Sequence, residues 1–279
     1  MSARCRKIIN ERLHAVISRQ CLRGIQVLLL DGNFNDCDVG DMKWHVDYTH
    51  VKEIRKIVRV ESLAVSALEF AMYRMCNHRP PFDSALKKQL HLRYHIHGHL
   101  LAADPWVAFH REFIASIDQV MRNPEVAALK SLICYRSGLG IKVHANKEVL
   151  DSFEALVKKC LDTQGQEKRL RDMSKPLHNY LVRTALARIE SWKTLGVVKP
   201  VLFHTGRGYD TGVAYLPEPV DPVSLEPVIR EFRDVEFVLL HSSPQCTQRA
   251  ACLVQAFPNA HLDIGEGFIA LCREDQVAF

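Results

Sequence analysis

The fold is decided by two apolar runs that each end on a histidine, Pro200-Val-Leu-Phe-His204 and Val235-Glu-Phe-Val-Leu-Leu-His241. Short, continuous apolar runs are typical of strands that are buried on both faces of a parallel sheet. A helical pattern lies between the two runs, so they predict a parallel pair joined by a right-handed crossover. Both histidines then lie at the carboxyl edge of the sheet, where (β/α) barrels place their active sites. Because neutral imidazole is the commonest protein ligand of catalytic zinc, the pair predicts a metal site.

The same alternation of strand and helix extends along most of the chain. Further apolar runs predict strands at residues 25–30, 57–60, 129–135 and 260–264. Apolar residues at helical spacing predict helices near residues 105–121, 149–160, 177–192, 225–232 and 250–257. This order indicates an α/β protein that resembles a (β/α)8 barrel with about six of the eight strands. We expect a single domain over residues 1–279, with an insertion at about residues 74–104 that is rich in His, Pro and Arg.

Composition excludes several classes of function. The net charge of +5 is spread along the 279 residues without blocks of like charge, which argues against a nucleic-acid partner. No apolar run approaches the ~20 residues that a membrane span requires, and the N-terminus lacks the apolar core of a secretory signal. The nine cysteines include no Cys-x-x-Cys pair, so we expect reduced thiols and a cytoplasmic protein.

Several stretches, taken in order, resemble the amidohydrolase-related family of metal-dependent barrels, specifically its FluG-type, nodulin/glutamine synthetase-like branch. The stretches that carry this resemblance are Leu28–Gly32, Trp44-His45, Val58–Glu61, Leu129–Leu139, Lys175–Leu181, Phe203–Gly206, Phe237–His241 and Phe257–Asp263. The resemblance implies a TIM-barrel fold and a divalent metal, zinc or manganese, that activates water as the nucleophile. It also implies that His204 and His241 are the metal ligands at the ends of the family's fifth and sixth strands.

The resemblance further implies contacts to a small-molecule substrate. Arg136 and Tyr135 correspond to positions at the end of the fourth strand, where an arginine offers a planar fork to a carboxylate. Trp44 and His45 correspond to the loop after the second strand and would line the mouth of the site. The implied activity is metal-assisted hydrolysis of a C–N bond in a small polar substrate, although the family also contains decarboxylases and isomerases.

The chain departs from the family pattern at both ends. The first strand with its His-x-His pair and the eighth strand with its aspartate are not found in the sequence, and a catalytic metal site needs three or more protein ligands. The alternative is therefore a truncated, catalytically inactive domain that serves as a binding or structural module. Open barrel edges would then allow pairing with a second copy of the chain.

Other residues offer alternatives at the site. The cluster His95-Ile-His-Gly-His99 resembles the missing His-x-His pair but lies in the insertion, so we interpret it as a loop. Glu61 and Asp263 end strands and either enter the site or hold backbone and arginine groups. Lys130 is interpreted as the start of its strand, which argues against a carbamylated lysine that bridges two metals. Further single residues are interpreted as surface or helix-face histidines and a core cysteine: His144, His178, His261 and Cys134.

Overall fold

The computed structural model describes residues 16, 21–31, 51–75, 104–162, 173–206, 220–241, 247–263 and 265. The strands in these residues are β1 (Val27–Asp31), β2 (Glu53–Arg59), β3 (Val126–Ser131), β4 (Val201–His204), β5 (Phe237–Leu240) and β6 (Ala260–Leu262). The helices are α1 (Val60–Met75), α2 (Pro105–Arg122), α3 (Cys134–Ser137), α4 (Asn146–Asp162), α5 (Lys175–Lys193), α6 (Glu226–Glu231) and α7 (Thr247–Ala256). A 3-10 turn, Pro222–Leu225, leads directly into α6.

The described strands form a six-stranded sheet in the order β1-β2-β3-β4-β5-β6. Parallel pairing of strands in sequence order, with helices between them, is the arrangement of a (β/α) barrel. The expectation of an α/β fold with six of the eight barrel strands is therefore confirmed.

The chain divides into two compact units. The first comprises Met1–Val58 and Asn123–Ala128, and the second comprises Arg59–Arg122 and Leu129–Phe279. In the first unit β1 runs parallel to β2, with Val27 opposite Glu53 and Asp31 opposite Ile57.

The second unit contains the pairs that carry the histidines. Leu129 of β3 lies opposite Val201 of β4, and His204 of β4 lies opposite Leu240 of β5. Strand β5 in turn pairs with β6, whose short span ends one residue before Asp263. All of these pairs are parallel, so the carboxyl ends of β3 to β6 meet at one edge of the sheet.

The core of the second unit is formed by apolar helix faces and the buried strands. Phe109 and Phe113 of α2 are 1% and 0% exposed, and the Phe109 ring lies 4.9 Å from that of Phe153 on α4. Asp118 of α2 accepts hydrogen bonds from both Arg188 and Trp192 of α5. This carboxylate therefore joins the two helices through one partly buried ion pair.

The helix predicted after Asp104-Pro105 is confirmed as α2, and its start follows from local chemistry. The Asp104 side chain accepts the backbone N–H of Trp106 at 2.8 Å, while its carbonyl accepts that of Ala108 at 3.0 Å. Pro105 occupies the first helical position, where a missing N–H costs nothing.

Two expected elements differ from the structure. The third strand was expected at residues 129–135, but β3 covers Val126–Ser131 and the helical turn α3 follows it. The second strand was expected to end at Val60, but that residue begins the helix α1. In both places apolar residues lie on either side of the boundary between strand and helix, so the apolar pattern alone does not mark where the strand ends.

None of the helices in the described part of the chain is long and apolar enough to cross a membrane. Most of the expected insertion at residues 74–104 lies outside the described residues.

Candidate functional site

His204 is the last residue of β4 and is 3% exposed. All four residues of this strand are buried, because the strand lies between β3 and β5 in the interior of the sheet. The strand end therefore delivers an imidazole to the carboxyl edge of the sheet with little contact with water.

Tyr135 of α3 contacts this imidazole directly. Its hydroxyl lies 3.0 Å from His204 Nδ1, and the two ring centroids are 4.0 Å apart. The other ring nitrogen of His204, Nε2, is buried and has no hydrogen-bond partner among the residues that the structure describes.

His241 follows β5 directly and adopts a left-handed backbone conformation, with φ at 70°. A positive φ is uncommon for a residue that has a side chain, and such conformations cluster at functional sites. Asp263 supports this conformation, because its Oδ2 accepts the backbone N–H of His241 at 3.1 Å. The same carboxylate oxygen lies 4.0 Å from His241 Nδ1.

The two predicted histidines lie side by side. Their ring centroids are 4.6 Å apart in an edge-to-face arrangement. Burial, together with smaller effects from the nearby His241 and Lys130, lowers the pKa of His204 to about 3. His204 is therefore a neutral imidazole at physiological pH, which is the form that binds metals.

Two hydrogen bonds hold the residues that directly follow His204. The hydroxyl of Thr205 donates to the Leu240 carbonyl at 2.7 Å, just before His241. The Cys134 thiol lies 3.7 Å from the carbonyl oxygen of Gly206 and donates to it. The ends of β4 and β5 and the turn α3 are therefore held together by side chains next to the two rings.

Glu61 lies in the first turn of α1 and is 4% exposed. Its Oε1 accepts hydrogen bonds from the Ser131 hydroxyl at 2.7 Å and from the Leu132 N–H at 2.8 Å. Burial raises the pKa of Glu61 above its usual value. Of the two roles left open for this residue, the structure shows the backbone contact, which ties the start of α1 to the end of β3.

The prediction that Lys130 lies at the start of its strand is wrong. Because β3 ends at Ser131, Lys130 is its penultimate residue and lies near the carboxyl edge. Its charge acts on His204 and lowers the pKa of that ring. The argument against a metal-bridging lysine, which placed Lys130 at the opposite end of the strand, therefore no longer holds.

Arg136 and Ser137 complete α3, and Ser137 is contacted by the first turn of α5. The Lys175 ammonium donates to the Ser137 carbonyl, and the Ser137 hydroxyl lies 3.5 Å from His178 Nδ1. His178, expected at the surface or on a helix face, lies on α5 but is 1% exposed. Burial lowers its pKa to about 4, with smaller effects from Arg136 and Lys175.

The remaining single-residue expectations have mixed outcomes. Cys134 is 1% exposed, and burial raises its pKa to about 12, which confirms a core thiol rather than a nucleophile. His261 is exposed beside Glu236. Trp44, His45 and the cluster at residues 95–99 lie outside the described residues.

The sequence arguments missed Ser131 and Thr205, whose hydroxyls connect the strand ends. A signal was present for Thr205, which directly follows the apolar run that ends on His204, but not for Ser131, because apolar residues resume after it. Within the described ranges, no group of three or more His, Cys, Asp or Glu side chains is arranged to hold a metal ion. The structure therefore brings together the two predicted metal ligands and shows no third one.

The chain is similar in sequence to a curated protein and in fold to a solved structure. The chain is 31% identical over 266 residues to protein FluG of Emericella nidulans, an alignment that covers 95% of this chain and 28% of FluG. No protein-family model matches the chain. The fold is similar to a crystal structure from Lactobacillus casei ATCC 334, with a TM-score of 0.62 and 20% identity. That similarity covers 90% of this chain and 55% of the neighbour. The neighbour is a metal-dependent hydrolase whose activity is itself inferred.

Proposed function

We propose that the chain carries the site of a metal-dependent hydrolase that cleaves a C–N bond in a small, carboxylate-bearing substrate. His204 and His241 bind a divalent cation, zinc or manganese. The amidohydrolase-related resemblance, the sequence similarity to FluG and the metal-dependent hydrolase activity inferred for the structural neighbour support this proposal.

The observation that supports the proposal is the close approach of two imidazoles at neighbouring strand ends. One ring nitrogen of His204 has no hydrogen-bond partner in the described residues. The rings lie 4.6 Å apart, and His204 Nε2 is buried without a hydrogen-bond partner in the described residues. A buried polar atom without a partner costs about 1–3 kcal/mol, and such atoms are rare in native structures. A bound cation would satisfy this nitrogen.

The donor set fits a borderline metal such as zinc, because both ligands are imidazoles and one of them is held neutral by burial. Bound by these histidines, such a metal would supply Lewis-acid polarisation of the scissile carbonyl and activation of water. Catalytic zinc sites use three protein ligands, so the proposal requires a further ligand beyond this pair, supplied from outside the described residues.

Substrate binding is assigned to residues beside the pair. Arg136 is half-buried in α3, adjacent in sequence to the tyrosine that contacts His204. A guanidinium in this position offers a bidentate contact to a substrate carboxylate. Trp44 and His45 would line the mouth of the site, and no nucleic-acid or membrane partner is proposed.

The second candidate is a domain that has lost catalysis and acts as a binding or structural module. It is favoured by the finding that no three-ligand group occurs in the described residues. The chain also spans 28% of the length of FluG, so the activity of the whole relative does not transfer to it directly.

Metal content separates the two candidates. We would purify the full chain, measure zinc and manganese by elemental analysis, and repeat the measurement on the His204→Ala/His241→Ala double variant. His261→Ala is the matched control, because His261 is an exposed histidine on the neighbouring strand β6.

The hydrolase proposal expects near-stoichiometric metal in the wild type and in the His261→Ala variant, and loss of metal in the double variant. The metal-loaded chain should then release amine from small N-acyl amino acids. Metal-free wild type after dialysis against zinc, or metal retained by the double variant, would favour the binding module.

A further inference from the structure

We propose that Tyr135 is a positioning residue that fixes the tautomer of His204: the ring donates its Nδ1–H to the phenol oxygen and presents an unprotonated Nε2 as the metal ligand. This inference rests on the proposed function, because it names the ligand atom and the residue that selects it. It also gives the tyrosine a role besides the substrate contact that the resemblance implies.

The contact is too close and too well oriented to be incidental packing. The Tyr135 hydroxyl and His204 Nδ1 are 3.0 Å apart, a normal hydrogen-bond distance. The ring centroids lie 4.0 Å apart at an interplanar angle of 31°, so the phenol ring also covers one side of the imidazole. The tyrosine therefore restricts both the orientation and the protonation of the histidine.

Two arrangements of protons satisfy this distance. In one, the phenol O–H donates to Nδ1 and the proton of the neutral ring is on Nε2. In the other, Nδ1–H donates to the phenol oxygen and Nε2 has a lone pair. The two are distinguished by what surrounds Nε2, since a neutral imidazole has one donor and one acceptor nitrogen.

The surroundings of Nε2 favour the second arrangement. This atom is buried and has no hydrogen-bond partner in the described part of the chain. An orphaned buried N–H is rarer in proteins than an under-satisfied acceptor. A lone pair on Nε2 is also the group that a divalent cation needs, whereas a proton there would exclude the metal.

The turn that carries Tyr135 is anchored independently of His204. The backbone N–H of Tyr135 donates to the Leu132 carbonyl at 3.0 Å, and the N–H of Gly138 donates to the Ile133 carbonyl at 3.1 Å. Lys175 of α5 donates to the carbonyl of Ser137. The backbone that carries the phenol is therefore held by contacts that involve neither His204 nor a metal.

A side chain that binds the second ring nitrogen of a metal-ligating histidine has a measurable effect on metal affinity. Groups that bind the second nitrogen of a metal-ligating histidine orient the ring, and their removal typically weakens metal affinity about 10–100-fold. We expect Tyr135→Phe to weaken zinc binding by that factor, because the ring loses the acceptor for Nδ1–H while the packing of the aromatic ring is retained.

Zinc affinity is measured on the full chain by competition with a chromophoric chelator, for wild type, Tyr135→Phe and Tyr180→Phe. Tyr180 is the matched control, since it is a half-buried tyrosine on α5 that packs against Trp106 and His110. The tautomer of His204 is read separately from long-range proton–nitrogen spectra of zinc-free, ¹⁵N-histidine-labelled protein, and the His204→Gln variant assigns its signals.

The inference expects a protonated Nδ1 on His204 in the zinc-free wild type and weaker zinc binding in Tyr135→Phe alone. A protonated Nε2 in the wild type, or an unchanged zinc affinity in Tyr135→Phe, would overturn it. If the wild type binds no zinc, the proposed function fails, while the wild-type spectrum still decides the tautomer. If Tyr135→Phe does not fold, the nitrogen that is protonated on His204 in the wild-type spectrum still tests the inference.

Discussion

His178 shows how burial changes a residue that carries no distinguishing signal in the sequence. It lies in the first turn of α5 with 1% of its surface exposed, and its pKa is lowered to about 4. Its Nδ1 faces the Ser137 hydroxyl at 3.5 Å, directly after Arg136. The residue thus stabilises the turn beside the site only while it is neutral.

Stability should therefore fall in mild acid. The pKa of His178 is lower in the folded chain, about 4, than its ordinary 6.5, so the unfolded state binds more protons as the pH falls below 6.5. This loss is complete below about pH 4, and at pH 5 it amounts to about 2 kcal/mol. We would compare urea unfolding at pH 7.5 and pH 5 for wild type and His178→Gln.

The His178→Gln variant should lose part of the pH dependence that the wild type shows. His204 contributes in the same direction in every variant, because its pKa is lowered as well. An identical pH dependence in wild type and His178→Gln would contradict the prediction.

Among the elements, the junction between α6, β5 and β6 depends on a single amide. Asn259 precedes β6, is 7% exposed, and donates from Nδ2 to the carbonyls of Ile229, Phe232 and Val235 at 3.3, 3.1 and 3.1 Å. These carbonyls lie at the end of α6 and in the connection to β5. The two N–H groups of one side-chain amide are therefore shared among three backbone acceptors.

Asn259→Ala should destabilise the fold by about 2–4 kcal/mol, because buried carbonyls lose their donor and a small void forms. The free energy of unfolding in urea measures this loss. Asn123→Ala is the comparison, since Asn123 makes an exposed turn contact to the Glu125 N–H. If the free energy of unfolding falls no more in Asn259→Ala than in Asn123→Ala, water replaces the amide as the donor to these carbonyls.

At the scale of the whole molecule, the strand order leaves β1 and β6 at the ends of the described sheet. Strand β1 exposes apolar side chains, with Val27 at 45% and Leu29 at 43%. An apolar edge strand is a template for pairing with another chain. This edge is where the expected second copy of the chain would pair.

Leu29→Lys should weaken self-association, because a charge at an edge strand opposes edge-to-edge pairing. Sedimentation velocity across a concentration series measures the effect, and Leu150→Lys, at an exposed leucine on α4, should leave it unchanged. A wild type that stays monomeric at every concentration would rule out association through this edge.

The sequence by itself determined the strand–helix alternation, the six strands and the two histidines at the ends of β4 and β5. These features follow from local rules, since apolar runs of four to seven residues and helical periodicity are readable within short windows. The helix start at Asp104 was readable for the same reason. The end of β3 was not, because the apolar pattern continues into α3 and the Glu61 contacts that mark the strand end come from 70 residues away.

Only the tertiary structure decided how the histidines are used. Neither the 3.0 Å contact of Tyr135 with His204, nor the nearby charge of Lys130, nor the support of His241 by Asp263 is visible in sequence spacing. Each joins residues more than 20 positions apart, so it exists only after parallel strands bring their carboxyl ends to one edge. Burial then sets the protonation of His204 and His178, because the loss of water is a property of the packed chain rather than of the residue.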